Sequence, residues 1–442
     1  MRVRIAITLA AAASLVAAAP AAAVDYPPPG KPGAVQKKPK GPFKTLRVCQ
    51  AKQCKYRTIN KAVAKARPGD TIRVADGTYR EGVRINGPKK RFIKLIGNVN
   101  DPSKVVIDVK GLKGAAPQNA LLINNADEVT VQGFTATHYK GNGFFVTNAQ
   151  GYTFANLRAI HGGVYGIYAF NTIGGTMRDS TAAWNNDGGF YIGQTPPQDK
   201  PVRTLVTNIE SYGNVLGWSG TNMRYVTITK SRFYNNGTGL APNALTSEKY
   251  APEEDNVITG NDIFWNNFNY YEGAPFELRP PSAEATPYPI GVGVILFGGR
   301  RNIVENNNVF GNYLVGVAAI QQFLLKDKSA QDLVGNEVKN NTFGAGGQDL
   351  NGRDLFYDGN GSNNCFGPNT GVQVTLPADS VNMPACPYTG PNQFDAAAQA
   401  EVVQWAVGDP THMAHWVKSP HMAIQGLTPL ELYADYTGQK PE

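Results

Sequence analysis

The chain has 442 residues, of which 42 are Lys or Arg and 34 are Asp or Glu, and its formal net charge is +8. This mild positive balance fits an acidic polysaccharide ligand, and it fits an ordinary solvated surface as well. The sequence has no basic and aromatic stripe and no nucleic-acid reader motif, so nucleic acid is not expected as a partner. No segment after the N-terminus is long and apolar enough to cross a bilayer, and we expect no membrane span.

The N-terminus resembles an export signal. Met1-Arg-Val-Arg is followed by the apolar stretch Ile5–Ala18 and by three alanines at Ala21–Ala23. A basic start, a short apolar core and a small-residue exit predict a signal peptide over residues 1–23 and a secreted protein. Removing Arg2 and Arg4 leaves 40 basic against 34 acidic residues, a net charge of +6. Residues 24–43, rich in Pro, Lys and Gly, are predicted to form an extended linker.

The four cysteines form two local pairs, Cys49 with Cys54 and Cys365 with Cys386. An even number of cysteines in an exported chain favours disulfides, and both pairs are predicted to be bonded. No His lies at ligand spacing from either pair, which makes a zinc site the weaker alternative. The pairs bracket the two ends of the repetitive region described next, where terminal repeats need a cap.

One short phrase recurs from about residue 127 to residue 341: an apolar residue, small polar residues, a second apolar residue, then Asn or Gly. The anchor residues are Val131, Phe154, Met177, Val206, Ile228, Ile258, Val304 and Val338. Eight residues later lie Tyr139, Gly162, Asn185, Asn214, Asn236, Asn266, Asn312 and Gly346. The steps between anchors are 23, 23, 29, 22, 30, 46 and 34 residues. A base period of 22 or 23 residues predicts a solenoid built from single β-coils of three short strands.

Gly, Asn, Asp or Lys stands two residues after each anchor, and these residue types mostly tolerate the left-handed backbone of a tight corner. We expect stacked corner asparagines to hydrogen-bond along the solenoid. Because these corners have fixed length, the extra residues must lie around or after the third strand. They form three insertions, Gln194–Arg203, Asn243–Asp255 and Phe268–Pro289, and stacked on one side they would form a wall beside a binding face.

These features resemble the right-handed parallel β-helix of the pectate-lyase-like superfamily. The resemblance is carried by the repeat and by an entry segment in which a predicted capping helix, Tyr56–Ala66, is followed by Pro68-Gly69-Asp70 and Gly77-Thr78-Tyr79. It implies an all-β solenoid over residues 44–369, with the short N-terminal capping helix included. Residues 370–442 are predicted to form a disulfide-bearing, partly helical C-terminal cap and tail, similar to the cap of related actinobacterial secreted proteins, with helix over Gln393–Trp416 and a loose tail over Pro429–Tyr436.

The third strand of each coil is predicted to carry a groove. If Phe144, Ile167 and Phe190 point inward, the alternation of a strand places Phe145, Tyr168 and Tyr191 outward and in register. Stacked aromatic rings suit the faces of sugar rings, and they also form ladders that only stabilise a sheet. Trp184 and Arg203, at the turns beside this strand, complete the predicted substrate-binding residues.

The turn before the third strand carries His138, His161 and Trp184 in one column, and Lys140 and Tyr165 belong to the same turns. Histidine is the usual general base or acid near neutral pH. We therefore predict His161 and His138 as catalytic residues, with Lys140 or Lys200 as neutraliser of a substrate carboxylate. The same histidines would also fit a role as caps of turn carbonyls.

The inserted loops carry the acidic residues Glu248, Glu253, Glu254, Asp255, Glu272 and Glu277. Such carboxylates are potential ligands for Ca²⁺ or an acid and base pair of a glycosidase, and loop acids are also often plain solvated charge. The metal requirement is left open. The motif sets of polygalacturonases, alginate epimerases, pectin esterases and pectate lyases are not complete in this sequence.

The leading hypothesis is a secreted, monomeric, polysaccharide-active protein that cleaves an acidic polysaccharide by β-elimination. One alternative is a non-catalytic carbohydrate-binding or cell-envelope β-helix that uses the same groove. The other is a glycoside hydrolase that uses the loop carboxylates.

Overall fold

The computed structural model describes residues 37–113, 118–246, 248–271, 273–279, 288–325, 328–405, 416–429 and 432. The predicted signal peptide and the linker up to residue 36 lie outside the described residues. None of the helices in the described ranges has the length and apolarity needed to cross a membrane.

The chain is a right-handed parallel β-helix of about 12 turns, which confirms the predicted fold class. We expected about ten turns. Within the described ranges the strands form an eighteen-stranded sheet, an eleven-stranded sheet and one two-stranded pair, and every pairing between these strands is parallel. Each turn contributes one or two strands to the larger sheet and one strand to the smaller.

The eighteen-stranded sheet contains Thr45–Val48, Thr71–Val74, Gly77–Tyr79, Lys94–Ile96, Val105–Asp108, Val129–Thr137, Tyr152–Ile160, Gly175–Ala183, Thr204–Tyr212, Val226–Thr229, Arg232–Tyr234, Val257–Thr259, Asp262–Phe264, Ile303–Glu305, Asn308–Phe310, Glu337–Lys339, Thr342–Phe343 and Cys365–Phe366. The eleven-stranded sheet contains Val83–Asn86, Leu121–Asn124, Asn142–Thr147, Tyr165–Phe170, Gly188–Gly193, Leu216–Thr221, Thr238–Asn243, Val292–Phe297, Val315–Ile320, Leu355–Tyr357 and Thr375–Leu376. The two-stranded pair is Gly299–Arg300 with Leu333–Val334. The helices are α1 (Ile59–Lys65), α2 (Lys328–Gln331) and α3 (Ala396–Gln404), with short 3-10 turns at Pro88–Lys90, Pro102–Lys104 and Ala345–Gly347.

The anchor residues form one continuous column inside the solenoid. In register, the column contains Leu46, Ile72, Leu95, Val131, Phe154, Met177, Val206, Ile228, Ile258, Val304, Val338 and Phe366. All of these side chains are buried. The stacking of the eight anchors is therefore confirmed, and four further residues extend the column at its ends.

The predicted corners are also confirmed. Two residues after each anchor the backbone is left-handed, with φ between 50° and 79° from Gly133 to Asn340. Lys230 adopts this conformation as well, with φ of 51°. The expected hydrogen bonding along the corners is only partial, for example from Asn208 Nδ2 to Asp179 Oδ1 at 2.7 Å.

Continuous asparagine ladders lie inside the solenoid instead. In the longest one, each side-chain oxygen accepts from the backbone N–H and the side-chain amide of the asparagine in the preceding coil. This ladder contains Asn185, Asn214, Asn236, Asn266, Asn312 and Asn351. Two shorter ladders begin at Asn256 and Asn261. They satisfy buried polar groups that would otherwise be costly at the turns.

Both ends of the solenoid are capped. Helix α1 begins after the N-cap Thr58 and buries Ile59, Ala62 and Val63, so it is shorter than the predicted Tyr56–Ala66. Both predicted disulfides are confirmed, with Cα–Cα distances of 5.7 Å for Cys49–Cys54 and 4.9 Å for Cys365–Cys386.

The C-terminal cap differs from its prediction in extent. Within the predicted helix Gln393–Trp416, the described helix is α3 alone, which starts after Asp395 accepts from the N–H groups of Ala397 and Ala398. Residues 406–415 lie outside the described residues, as does most of the predicted loose tail, of which only Pro429 and Leu432 are described.

Candidate active site

The outward side chains of the eleven-stranded sheet form one column along the solenoid. In register, the column contains Arg84, Leu122, Phe145, Tyr168, Tyr191, Ser219, Ala241, Ile295, Ala318 and Phe356. The residues from Arg84 to Tyr168 are half-buried, whereas those from Tyr191 onward are at most 4% exposed. The accessible part of this face therefore ends near Tyr191.

The predicted aromatic ladder is present at this position. The rings of Phe145 and Tyr168 stack at 4.5 Å between centroids with an interplanar angle of 5°, and those of Tyr168 and Tyr191 at 4.6 Å and 12°. Tyr165 packs its edge on Tyr191 at 4.7 Å. The outward parity inferred for the third strand is correct.

Two glycines make room for these rings. A Cβ at Gly193 would lie 2.2 Å from Cε2 of Tyr191, and one at Gly188 would lie 3.2 Å from Cδ1 of Tyr165. A side chain at Gly193 would therefore displace the Tyr191 ring. The equivalent positions in the two preceding coils are Phe170 and Thr147, so the space beside Tyr191 is specific to this coil.

Asp187 lies at the entrance to the strand that carries Tyr191. Its carboxylate forms an ion pair with the Arg279 guanidinium and a hydrogen bond with Tyr165, and its side chain is 14% exposed. Burial raises the pKa of Asp187 above its ordinary 3.8, and the positive charge of Arg279 offsets part of that rise. The carboxyl group is thus easier to protonate than a solvated aspartate.

Glu248 lies on the other side of the ladder, on the insertion that follows residue 243. It accepts hydrogen bonds from the Tyr191 hydroxyl at 3.3 Å and from Asn222 Nδ2 at 2.8 Å. Burial raises the pKa of Tyr168, and the charges of Glu248 and Asp187 raise it further. Both carboxylates therefore make the Tyr168 hydroxyl harder to ionise.

Burial also raises the pKa of Tyr165 and of Tyr191 well above the ordinary 10.0 of tyrosine. The tyrosines of the ladder are therefore neutral at physiological pH and are suited to donate hydrogen bonds, whereas the raised pKa makes them weak proton donors. They are poorly suited to serve as bases, because a base needs a lowered pKa.

The three insertions do not share one side of the sheet, contrary to the prediction. Gln194–Arg203 and the insertion after Asn243 follow strands of the eleven-stranded sheet, whereas Phe268–Pro289 precedes one. They therefore flank the sheet from opposite edges. Asn186 Nδ2 donates to the Glu277 carbonyl at 2.9 Å, so residues 273–279 of the Phe268–Pro289 insertion lie against the Asp187 turn.

The histidine column lies at the corner between the two sheets. His138 Nδ1 lies 3.0 Å from Asp108 Oδ1, and the His161 ring stacks on Trp184 at 6.4 Å between centroids. Burial, and the neighbouring His138, lower the pKa of His161. Among the described contacts none joins these histidines to the aromatic ladder, so the catalytic roles of His138 and His161 remain predictions.

Trp184 packs against Phe268 and Tyr212, which places it beside the larger sheet and away from the ladder. Lys140 and Lys200 are exposed. Arg203 Nη1 donates to the Asp255 carbonyl at 3.3 Å, at the turn that leaves the smaller sheet. The contacts given for these four residues within the described ranges do not include the ladder, and their roles remain predictions.

The acidic residues of the insertions have separate environments. Glu253 is buried and accepts from Asn256 and Asn302 at the start of an asparagine ladder, while Glu254 and Asp255 pair with Arg301. Glu277 is exposed, and Glu272 lies outside the described residues. No cluster of three or more His, Cys, Asp or Glu that could hold a metal is found in the described ranges, and the Ca²⁺ hypothesis stays open.

Sequence reasoning placed Tyr165 in the histidine-bearing turns, but it did not assign Asp187, Arg279 or Tyr288 to the site. The available signal was position along the chain. Asp187 stands one residue before the third strand of its coil, and Tyr165 is the first residue of the third strand in the preceding coil. Arg279 carried no such signal, because its partner Asp187 is 92 residues away in the sequence.

No protein-family model matches the chain, and no curated protein matches it. Among solved structures, the chain is similar to the A-module of the Azotobacter vinelandii mannuronan C-5 epimerase AlgE6, with 16% identity over 70% of this chain and 87% of that one and a TM-score of 0.48. It is also similar to an alginate lyase from Paenibacillus sp. str. FPU-7, with 15% identity over 72% and 98% of the two chains and a TM-score of 0.43. The pectate lyase Pel9A is 16% identical over 79% and 82%, with a TM-score of 0.38. These likenesses concern the fold alone.

Proposed function

We propose that the chain is a secreted enzyme that hydrolyses a polysaccharide bound along the Phe145–Tyr168–Tyr191 ladder. The observation that carries the proposal is a pair of carboxylates beside the ladder: Asp187 is hydrogen-bonded to Tyr165, and Glu248 accepts from Tyr191. Aromatic surface suits the apolar faces of sugar rings, and two carboxyl groups flanking a scissile bond are what most glycoside hydrolases use.

The two carboxyl groups take different roles because their surroundings differ. Asp187, with its raised pKa, is the general acid that protonates the leaving oxygen. Glu248, which accepts from Tyr191 and Asn222, stays oriented by donors and acts as the base or nucleophile. Neutral Tyr168 orients a sugar hydroxyl by hydrogen bonding, while the outer edges of the stacked rings form an apolar surface beneath the sugar.

A polysaccharide lyase is the second candidate, and Arg279 favours it. The guanidinium beside Tyr165 and Asp187 could pair with a uronate carboxylate, which a β-elimination must neutralise. Asp187, whose raised pKa favours the protonated form, would then donate the proton to the leaving oxygen. The base for the C5 proton would have to be Glu248 or one of the predicted histidines.

The test is a screen of the purified protein on alginate, pectate, rhamnogalacturonan and α-1,3-glucan. New reducing ends without ultraviolet-absorbing products support hydrolysis, whereas unsaturated products absorbing in the ultraviolet support the lyase. Binding without new ends would support the non-catalytic alternative.

Substitutions then assign the residues. Asp187→Asn and Glu248→Gln are each expected to lower kcat about a hundredfold or more, the usual contribution of a general acid or base. His161→Ala separates this proposal from the histidine hypothesis, because it should leave kcat within about twofold, whereas a catalytic base would cost about a hundredfold. Glu254→Gln, on the same insertion but paired with Arg224 and Arg301, is the matched control. Full activity in both Asp187→Asn and Glu248→Gln would overturn the proposed mechanism.

A further inference from the structure

The groove is open at one end only. In the outward column, the side chains of Arg84, Leu122, Phe145 and Tyr168 are half-buried and therefore partly accessible. The turns beside the strands of Phe145 and Tyr168 are short. From Ser219 to Phe356 the same column is covered. The accessible stretch from Arg84 to Tyr168 spans three inter-strand steps of about 4.8 Å, or about 14 Å.

Tyr288 forms the boundary of the accessible stretch. Its hydroxyl accepts from Asn243 Nδ2 at 2.7 Å, and its ring packs on the cluster that contains Ala241 and Ile295. Burial raises the pKa of Tyr288, and the negative charge of Asp187 raises it further. Tyr270 holds the segment by donating from its hydroxyl to the Tyr288 carbonyl at 3.0 Å.

Beyond Tyr288 the sheet face is covered by α3. Ala398, Val402 and Trp405 pack in the same cluster as Ala318 and Phe356. The Trp405 and Phe356 rings lie 4.5 Å apart, and Arg353 Nη2 bonds Glu401 Oε2 at 3.0 Å. A glycan chain lying along the ladder has no continuous path past the carboxylates.

We propose that the site takes the end of a glycan chain, so that cleavage is exo-acting and releases a short product of fixed length. This inference rests on the proposed function for its chemistry, and on the covered column alone for its geometry. The chain approaches over Leu122 and Phe145, and its terminal unit stops against Tyr288 between Asp187 and Glu248. The position of Tyr288 thus sets the length of the unit released.

Binding measurements on Asp187→Asn test the geometry without turnover. The probes are oligosaccharides prepared from alginate, pectate, rhamnogalacturonan and α-1,3-glucan, each unmodified, with a bulky label at the reducing end, or with a blocked non-reducing end. For the oligosaccharide that binds, one modification is expected to weaken binding about tenfold or more and the other less than about twofold, because only one end enters the closed site.

Tyr288→Ala in the Asp187→Asn background should restore binding of the excluded probe to within about threefold of the unmodified one. Tyr288→Phe, which keeps the ring, should leave the discrimination in place. If both modified probes bind as tightly as the unmodified one, or if both lose affinity equally, the chain-end inference is overturned. Discrimination between the two ends without hydrolysis by the wild-type protein would overturn the proposed function and leave this inference standing. Binding of none of the probes would overturn both.

Discussion

Tyr168 is the residue at which the features of the groove converge. Its ring stacks on Phe145 and Tyr191, and its hydroxyl is within reach of the charges of Asp187 and Glu248. It remains half-buried, whereas Tyr191 is almost covered. Both faces of the Tyr168 ring are covered by its neighbours, so a bound sugar contacts its outer edge and hydroxyl, which are more accessible than those of any later residue of the column.

Replacing Tyr168 with Ala is expected to weaken glycan binding by about 1 kcal/mol or more, the usual contribution of an aromatic contact. Tyr168→Phe keeps the ring and should lose less. Tyr212→Ala, on the larger sheet, removes a stacked ring outside the groove and should leave affinity unchanged. Titration calorimetry with the glycan found in the screen gives all three values. Unchanged affinity in Tyr168→Ala would exclude this face as the binding site.

The raised pKa of Asp187 predicts how kcat falls on the alkaline side of its pH profile. An acid must be protonated to act, so kcat should fall as the pH rises through a value above the ordinary 3.8. Removing the Arg279 charge in Arg279→Gln lets burial raise the pKa further, which should move this fall in kcat to higher pH. The measurement is kcat against pH for the wild type and Arg279→Gln. A shift of this fall to lower pH would contradict the assignment of Asp187 as the acid.

Strand alternation was enough to predict the ladder, because Phe145, Tyr168 and Tyr191 occupy equivalent positions in three coils. The Asp187–Arg279 pair could not be predicted in this way. It depends on how a long insertion folds back over an earlier coil, and no periodicity constrains that path. The histidine column was correctly placed on one corner of successive coils, but the sequence did not reveal which sheet that corner faces.

At the level of elements, the asparagine ladders tie successive turns together. Asn236 donates to the carbonyls of Ser211 and Tyr234 and to Asn266 Oδ1, and it accepts from Asn214. Each coil thus supplies the hydrogen-bonding partners for its neighbour's turn. The sequence showed the asparagines at this position as part of the repeat, yet we assigned the stacking role to the exposed corners.

Asn236→Ala should therefore be strongly destabilising. It leaves several buried backbone groups and Asn214 without partners, and each such group costs about 1–3 kcal/mol. Asn306→Gly, at an exposed left-handed corner with φ of 56°, is the control, since glycine adopts that backbone freely. Thermal unfolding should show a midpoint several degrees lower for Asn236→Ala and little change for Asn306→Gly. Equal midpoints would mean that the ladder contributes no stability.

The anchor spacing predicted the core column because a fixed offset recurs in every coil. That spacing did not determine whether an insertion precedes or follows the third strand. The distance between anchors shows only that a coil is longer, and the third strand has a turn at each end. The strand boundaries in the structure assign Phe268–Pro289 to the entering turn and the other two insertions to the leaving turn.

At the scale of the whole molecule, each turn of the solenoid contacts mainly its two neighbours. Stability is therefore close to a sum of local terms, and disturbances at one end need not reach the other. The proposed site lies in the middle coils, between Phe145 and Glu248. The two disulfides lie at the opposite ends, where Cys365 occupies a strand of the last complete coil.

Removing the C-terminal disulfide should loosen the cap and leave the site intact. By chain entropy a loop of 21 residues contributes about 3 kcal/mol and a loop of 5 about 2 kcal/mol. In hydrogen exchange, Cys365→Ser with Cys386→Ser should increase exchange over residues 355–405, including α3, and leave residues 142–193 protected. Cys49→Ser with Cys54→Ser should instead affect residues 45–65. Loosening of α3 would uncover the sheet face around Ala318 and Phe356 but would leave the ladder in place. Glycan binding should therefore persist. A uniform rise in exchange along the whole chain would show that the solenoid unfolds as one unit and would contradict the local model.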